Sequence, residues 1–518
     1  MQQNTQTART QRRFREARKL ILVVHCLLIL LAPLLIVTSS IGFDREISLR
    51  VSGAIIGLVL IWLVSSYYSL RCGLFTPYGI FLIAAIAFNA SAPVLYLIDQ
   101  GKTGFLRNVF AGELEVKILV VVTLGLMFMH LGAVLALRSP RMRFQLGSLT
   151  FPKNPQWRWM AWLFMAIGII PSAMQLRTNL ASSTANGYIT LFRDAPTGAA
   201  ATIPLLALYL IPGIMFTAAA GLRTITARLL VSALVCILVL TDFFLGYRSQ
   251  ATSLLVAYVW LINRCVWKLP RSLLIGGSIM LLLIFPAVAV MRSATADERL
   301  SQTTWIQTFE KVDDPVINSL QEMGSTLRTV GHVIRLVPES RNYDLGLSYF
   351  WSLTGVVPNF TGGLHPGAQH SLANWLSYTV DPYMAQLGGG MGFSFLAEAY
   401  LNFGWFGIVM MPALIGYAVS TLDQRAESRL DPLVFAGLAT LLVFLPKYAR
   451  ADSAEVARYA IWYCLVPFWC CKLVQRQRRN RRGSAATARR SYPVGSLDGL
   501  LAPAGAFNRN KTPTANSA

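Results

Sequence analysis

From Leu20 to Phe43 the chain reads LILVVHCLLILLAPLLIVTSSIGF, without one Asp, Glu, Lys or Arg. A run this long and apolar suits the hydrocarbon core of a bilayer, which a helix of about 20 residues crosses. Lipid offers the backbone no hydrogen-bond partners, so such a run must be helical to satisfy its own amides. It is long for the apolar region of a secretory signal, and no A-x-A-like cleavage site follows it.

Similar runs recur along the chain. About twelve spans are expected, centred near Leu30, Leu58, Ala87, Leu126, Phe164, Leu210, Val235, Ala257, Leu281, Met410, Thr440 and Tyr463. No internal repeat is visible. Composition agrees: 54% of residues are hydrophobic and 14% charged, against about 25% charged in soluble domains. The fold expected is an all-α polytopic membrane protein, about 12 transmembrane helices with a large, partly helical loop.

The net charge of +22 raises the question of nucleic acid. Its placement answers it: RTQRRFREARK precedes the first span and KLVQRQRRNRR follows the last, the pattern of cytoplasmic anchors. No nucleic-acid partner is expected. With both termini inside, the termini and inside connections hold roughly 29 of the 46 basic residues, as the positive-inside rule requires. The expected division is a basic cytoplasmic N-terminus (1–19), spans one to nine (20–291), an outside cap loop (292–391), spans ten to twelve (392–475) and a disordered basic tail (476–518). None of the seven cysteines falls in a segment placed outside, so no disulfide framework is expected. No spacing suggests a metal site.

Long loops are usually functional, and the cap loop is the longest connection. In VINSLQEMGSTLRTVGHVIRLV, Ile317, Leu320, Leu327, Val330, Ile334 and Leu336 fall near helical spacing. The aromatic-rich segments after it suggest a folded cap on the membrane surface rather than a passive linker.

Four arginines sit at the outside-facing ends of spans: Arg248 in GYRSQ, Arg292 in MRSATADER, and Arg450 and Arg458 in KYARADSAEVARY. A guanidinium presents a planar fork of donors that matches phosphate oxygens and stays charged. The alternative is snorkelling to lipid headgroups. If the chain is helical from Asp452, Glu455 and Arg458 share a face, and the alternative there is a surface ion-pair lattice.

GGGMGFSFLAEAYLNFGWFG, Gly388 to Gly407, puts Glu398 and Asn402 four residues apart on one helix face. An ionisable residue in a span is a functional candidate by default. Glu398 is read as a base or orienter facing an outer cavity. The alternative is a buried pair with an arginine that only sets helix packing. Asp452 and His370, the latter in LHPGAQH with His365, compete for the role of base. His25 and His130, within spans, are read as structural.

These segments resemble the O-antigen polysaccharide polymerase (Wzy) family. The resemblance is carried by GGGMGFSFLAEAYLNFGWFG, by LGYRSQ at Leu245–Gln250, and by ARADSAEVARYAIW, all in the C-terminal half. A family pattern of Arg, ten residues and Gly is met by Arg335 and Gly346. The resemblance implies a GT-C-like inner-membrane glycosyltransferase that needs no metal or other cofactor. It implies a donor and an acceptor linked to undecaprenyl pyrophosphate, joined at the periplasmic face, and it allows a chain-length regulator as a partner beside the bilayer. Glu398, Asp452 and His370 are then the catalytic candidates, and Arg248, Arg292, Arg335, Arg450, Arg458 and Asn402 the substrate-binding ones. Two other activities compete. An O-antigen ligase shares the design and uses another acceptor. A lipid-linked oligosaccharide flippase should show paired repeats.

Overall fold

The computed structural model describes residues 2–71, 73–98, 109–110, 112–139, 155–186, 202–222, 224–291, 314–357, 359 and 365–477. Arg292, the first part of the expected cap through residue 313, and the tail from residue 478 lie outside them. The described elements are helices.

Helices α1 (Gln2–Gly42), α2 (Arg45–Arg71), the pair α3 (Pro77–Asn89) and α4 (Ser91–Ile98), α5 (Glu113–Ala136) and α6 (Arg158–Asn186) come first. They are followed by α7 (Thr202–Ala207), α8 (Leu210–Ala219), α9 (Ile225–Phe244), α10 (Arg248–Cys265) and α11 (Arg271–Met291). Among the described residues, eight helices are long and apolar enough to cross a membrane, nine if the α3–α4 pair, bent by 61°, counts as one span. Each of the twelve expected centres falls on a described helix. Two of the three that do not meet the stricter test have visible causes: Arg248 and Arg264 break the apolar run of α10, and the segment around Tyr463 passes through a π-helical turn, Ala460–Leu465. The third, α11, carries no charged residue from Ser272 to Met291.

The cap forms α12 (Pro315–Gly324), α13 (Leu327–Leu336), α14 (Leu347–Thr354), α15 (Pro366–Gln369), α16 (Leu372–Val380) and α17 (Pro382–Gln386). The expected amphipathic stretch is thus two helices, divided at Ser325–Thr326. Leu327, Val330 and Ile334 are buried as the spacing foretold. Helix α18 (Phe395–Arg429) returns through the bundle, α19 (Pro432–Phe444) follows, and a 3-10 turn (Leu445–Arg450) leads to α20 (Ser453–Tyr459).

The centre of the bundle is α5 against α18, and glycine sets their separation. A Cβ on Gly132 would stand 1.9 Å from the Ala413 carbonyl oxygen, and one on Gly416 would stand 1.9 Å from that of Met129. Small residues allow such backbone approach where lipid gives helices no hydrophobic drive to associate.

Buried polar groups close in pairs. Trp62 Nε1 donates to His25 Nδ1 at 3.1 Å, so the proton sits on Nε2, which donates to the Met127 carbonyl at 2.9 Å. His130 lies between Ser66 (2.9 Å) and the Tyr78 hydroxyl (3.2 Å). At the end of α2 away from the cap, buried Arg71 binds Asp423 at 2.9 Å and Glu427 at 2.7 Å, and Arg264 reaches Glu427 at 3.2 Å. Four charges that would each be costly in lipid so tie α2, α10 and α18 together.

Candidate active site

The cap meets the bundle at the start of α18. Ser394 caps that helix: its Oγ accepts from the Leu396 amide and donates to Asn89 Oδ1 at 2.7 Å. Asn89 ends α3 and donates in turn to the Ala449 carbonyl in the 3-10 turn. Three elements distant in sequence are therefore held at one point.

One turn on, Glu398 is fully buried. Its Oε2 accepts the Ser453 amide at 2.8 Å, and its Oε1 accepts the hydroxyls of Ser453 at 2.6 Å and Ser348 at 3.0 Å. Asn402 Nδ2 donates to Ser348 Oγ at 2.7 Å, and its Oδ1 accepts the Gly346 amide at 2.8 Å. The shared helix face expected from sequence exists, but it does not look into an open cavity. Both side chains are enclosed, and Glu398 binds two serines rather than an arginine. They fasten α14 and α20 to α18.

Helix α18 breaks just beyond this hub, at Phe403 and at Gly404, whose φ is +58°. The break frees the carbonyls of Leu401 and Asn402 from the helical ladder, and they accept the amides of Asp344 and Leu345 at 3.0 and 3.1 Å. Gly346 follows with φ +95°, a conformation in which glycine avoids the Cβ clash. The chain needs that turn to aim the Gly346 amide at Asn402.

The structure separates the arginines. Arg248 is buried and paired with Glu322 of α12, so it is a cap anchor where an anion clamp was expected. Arg458 Nε donates to the Gly355 carbonyl at 2.6 Å, one turn before Trp462 takes the Val356 carbonyl at 2.6 Å. These two residues cap the end of α14, and Arg458 forms no ion pair with Glu455 among the described residues. Arg450 lies beside the hub: its carbonyl accepts the Phe393 amide, and its side chain packs where a Cβ on Gly392 would stand. Arg335 differs from all of these. It is exposed, and its one side-chain partner among the described residues is His332, whose Nδ1 lies 3.1 Å from Nη2.

His332 is itself buried, edge-on to Phe110. Burial, then Arg335 and Arg328, push it down to about 4, so the ring is neutral and its Nδ1 accepts. Gly331 lets α13 close on Phe110 and Ile118. The guanidinium of Arg335 therefore has a fixed support and, among the described residues, no carboxylate against it.

Asp452 stands immediately before Ser453 and is 6% exposed. Burial, then Glu455, raise its acid to about 6 against nearby backbone amides that hold it down. His370 is exposed on the cap, its ring stacked on Trp351 at 4.3 Å. The Tyr349 hydroxyl is buried and has no hydrogen-bond partner among the described residues. Sequence reasoning passed over Ser348, Ser453, His332 and Tyr349. Only Gly346 carried a signal, through its spacing from Arg335. Among the described residues no group of three or more His, Cys, Asp or Glu is placed to hold a metal.

The sequence model of the O-antigen polysaccharide polymerase Wzy family matches residues 21–478. The chain belongs to that family. The match takes in the N-terminal spans, where only hydropathy was legible, as well as the Glu398 hub and the Arg335–Gly346 pair. The chain is also similar to Protein CapE of Staphylococcus aureus, 30% identical over 103 residues. That likeness spans 20% of this chain and 22% of the relative, about a fifth of each. No solved structure matches it.

Proposed function

We propose that this polymerase joins oligosaccharide units carried on undecaprenyl pyrophosphate, at the periplasmic face of the inner membrane, into O-antigen or exopolysaccharide chains. One observation carries the reading beyond the family: Arg335, a fixed and exposed cation supported by a neutral ring. A pyrophosphate leaving group needs charge that is in place before the bond breaks, and Arg335 meets that need at the cap. Arg450, beside Gly392 and the hub, is a second contact.

In this reading Glu398 and Asn402 are positioning residues. They act on substrate through α14 and α20, which they hold in register. Of the three acid–base candidates, Glu398 and Asp452 are buried and His370 is exposed. His370 accordingly takes the proton from the acceptor hydroxyl as the glycosyl carbon passes from the pyrophosphate oxygen to the acceptor oxygen. The departing diphosphate leaves with its charge matched by Arg335.

The test is to remove the gene and identify the glycan that accumulates on the carrier lipid. Single repeat units, chased into ladders by the restored protein but not by Arg335→Ala at equal membrane level, support the reading. Full-length chains left on the carrier would overturn it in favour of ligation.

A further inference from the structure

Helix α14 has its polarity inside out. Ser348 and Ser352 are buried, one bound to Glu398 and the other 2.7 Å from Ser453. On the opposite side, Leu347, Phe350 and Leu353 are 55, 56 and 57% exposed, and Leu345 just before the helix and Val357 just after it are 75 and 57% exposed. A helix standing in water turns its serines outward and its leucines in. Here the serines turn toward α18 and α20, and the apolar side stays open, its one ring contact among the described residues being Phe350 with Trp351 of the same helix.

The level at which this face lies follows from α18. From the break at Gly404 to buried Asp423, which with Arg71 marks the far boundary, a helix rises about 30 Å at about 1.5 Å per residue. That is the thickness of a hydrocarbon core. Residues 393–402 are buried in protein, and the lipid-facing surface of α18 begins immediately after the break with Trp405 and Phe406. Leu345 is hydrogen-bonded to Asn402, and the Phe403 ring packs against Gly346. The exposed face of α14 therefore continues the lipid-facing surface of α18 at the boundary. Trp351 and Trp405 sit there, where indoles favour the interface.

We infer that α14 is a membrane-seated helix. Leu345, Leu347, Phe350 and Leu353 contact the acyl chains of the cap-side leaflet, and Ser348 and Ser352 fasten the other side to α18 and α20. The occupant is bilayer phospholipid: the face is continuous with a lipid-facing helix, is flanked by interfacial tryptophans and presents no charged side chain of its own. The cap is thereby fixed in depth as well as in orientation. The inference does not depend on which reaction the polymerase carries out.

The test places benzoylphenylalanine at Phe350 and, in a second variant, at Leu353, with exposed Glu339 as the control position. Each full-length protein is irradiated in cells, purified and weighed. Phospholipid adducts at 350 and 353, and none at 339, are expected. If one variant does not accumulate, the other decides. Adducts with another polypeptide, with a lipid-linked glycan in place of phospholipid, or no adduct at either position overturn the inference.

Discussion

The amide of Gly346 lies 2.8 Å from Oδ1 of Asn402, across 56 positions of chain. The bond joins the turn that opens α14 to the last turn of α18 before its break. Asn402→Ala removes it and leaves a half-buried amide unpaired, a cost of about 1–3 kcal/mol. Amide exchange at 344–347 should speed up by roughly tenfold or more, since about 1.4 kcal/mol is a factor of ten. Polymer should shorten while the membrane level holds. Unchanged exchange would show that the cap is held elsewhere.

Glu398→Gln tests the hub from its other side. A glutamine keeps the size of the side chain but sets an NH2 group where a carboxylate oxygen accepted. The serine hydroxyls can rotate to meet it; the Ser453 amide cannot. Activity should drop steeply, because the NH2 either meets the Ser453 amide, donor against donor, or takes the place of the oxygen that accepted both serine hydroxyls, and the buried hub loses bonds either way. Ser453→Ala, which keeps the amide bond and loses the hydroxyl one, should fall between the Glu398→Gln variant and wild type. Wild-type chains from a well-expressed Glu398→Gln protein would show that the hub does not need its carboxylate.

The support of Arg335 by His332 separates position from packing. His332→Asn offers an acceptor oxygen where Nδ1 stood, whereas His332→Leu fills the volume without one. Asparagine should retain most of the activity, and leucine should lower kcat as well as raise KM for the proposed lipid-linked substrate, because charge that meets the leaving group acts in the transition state. Arg335→Lys should also be impaired, since an ammonium lacks the planar fork. Equal behaviour of the Asn and Leu variants would argue for packing alone.

The same histidine sets a pH window. Its ring is pushed down to about 4, against 6.5 for the ordinary imidazole. Between those values the unfolded chain binds a proton that the folded cap does not. The stability His332 contributes is therefore full above pH 6.5 and is lost as pH falls toward 4. Thermal stability of the purified protein should decline over that interval, and His332→Asn should flatten the decline.

Orientation is testable at Ser340, exposed on the cap. A membrane-impermeant thiol reagent applied to intact spheroplasts should modify Ser340→Cys and leave Ser484→Cys unmodified, each measured against the parent protein. Labelling at 484 and not at 340 would invert the topology.

The sequence alone determined that the chain is a helical membrane protein, where its helices lie, and that Glu398 and Asn402 share a face. Apolar runs and a four-residue spacing are local properties, and lipid leaves a lone segment no other way to satisfy its backbone. Only the tertiary structure decided what that face meets. Ser348, Ser453 and Gly346 are ordinary residues until a broken helix brings them within hydrogen-bond reach of α18. Likewise, Arg248 and Arg335 read alike in sequence, each a basic residue on the side assigned to the cap. Glu322 neutralises the first, and a buried histidine orients the second without neutralising it. A cation's availability depends on its partner, and here one partner lies 74 positions away and the other one turn along the same helix.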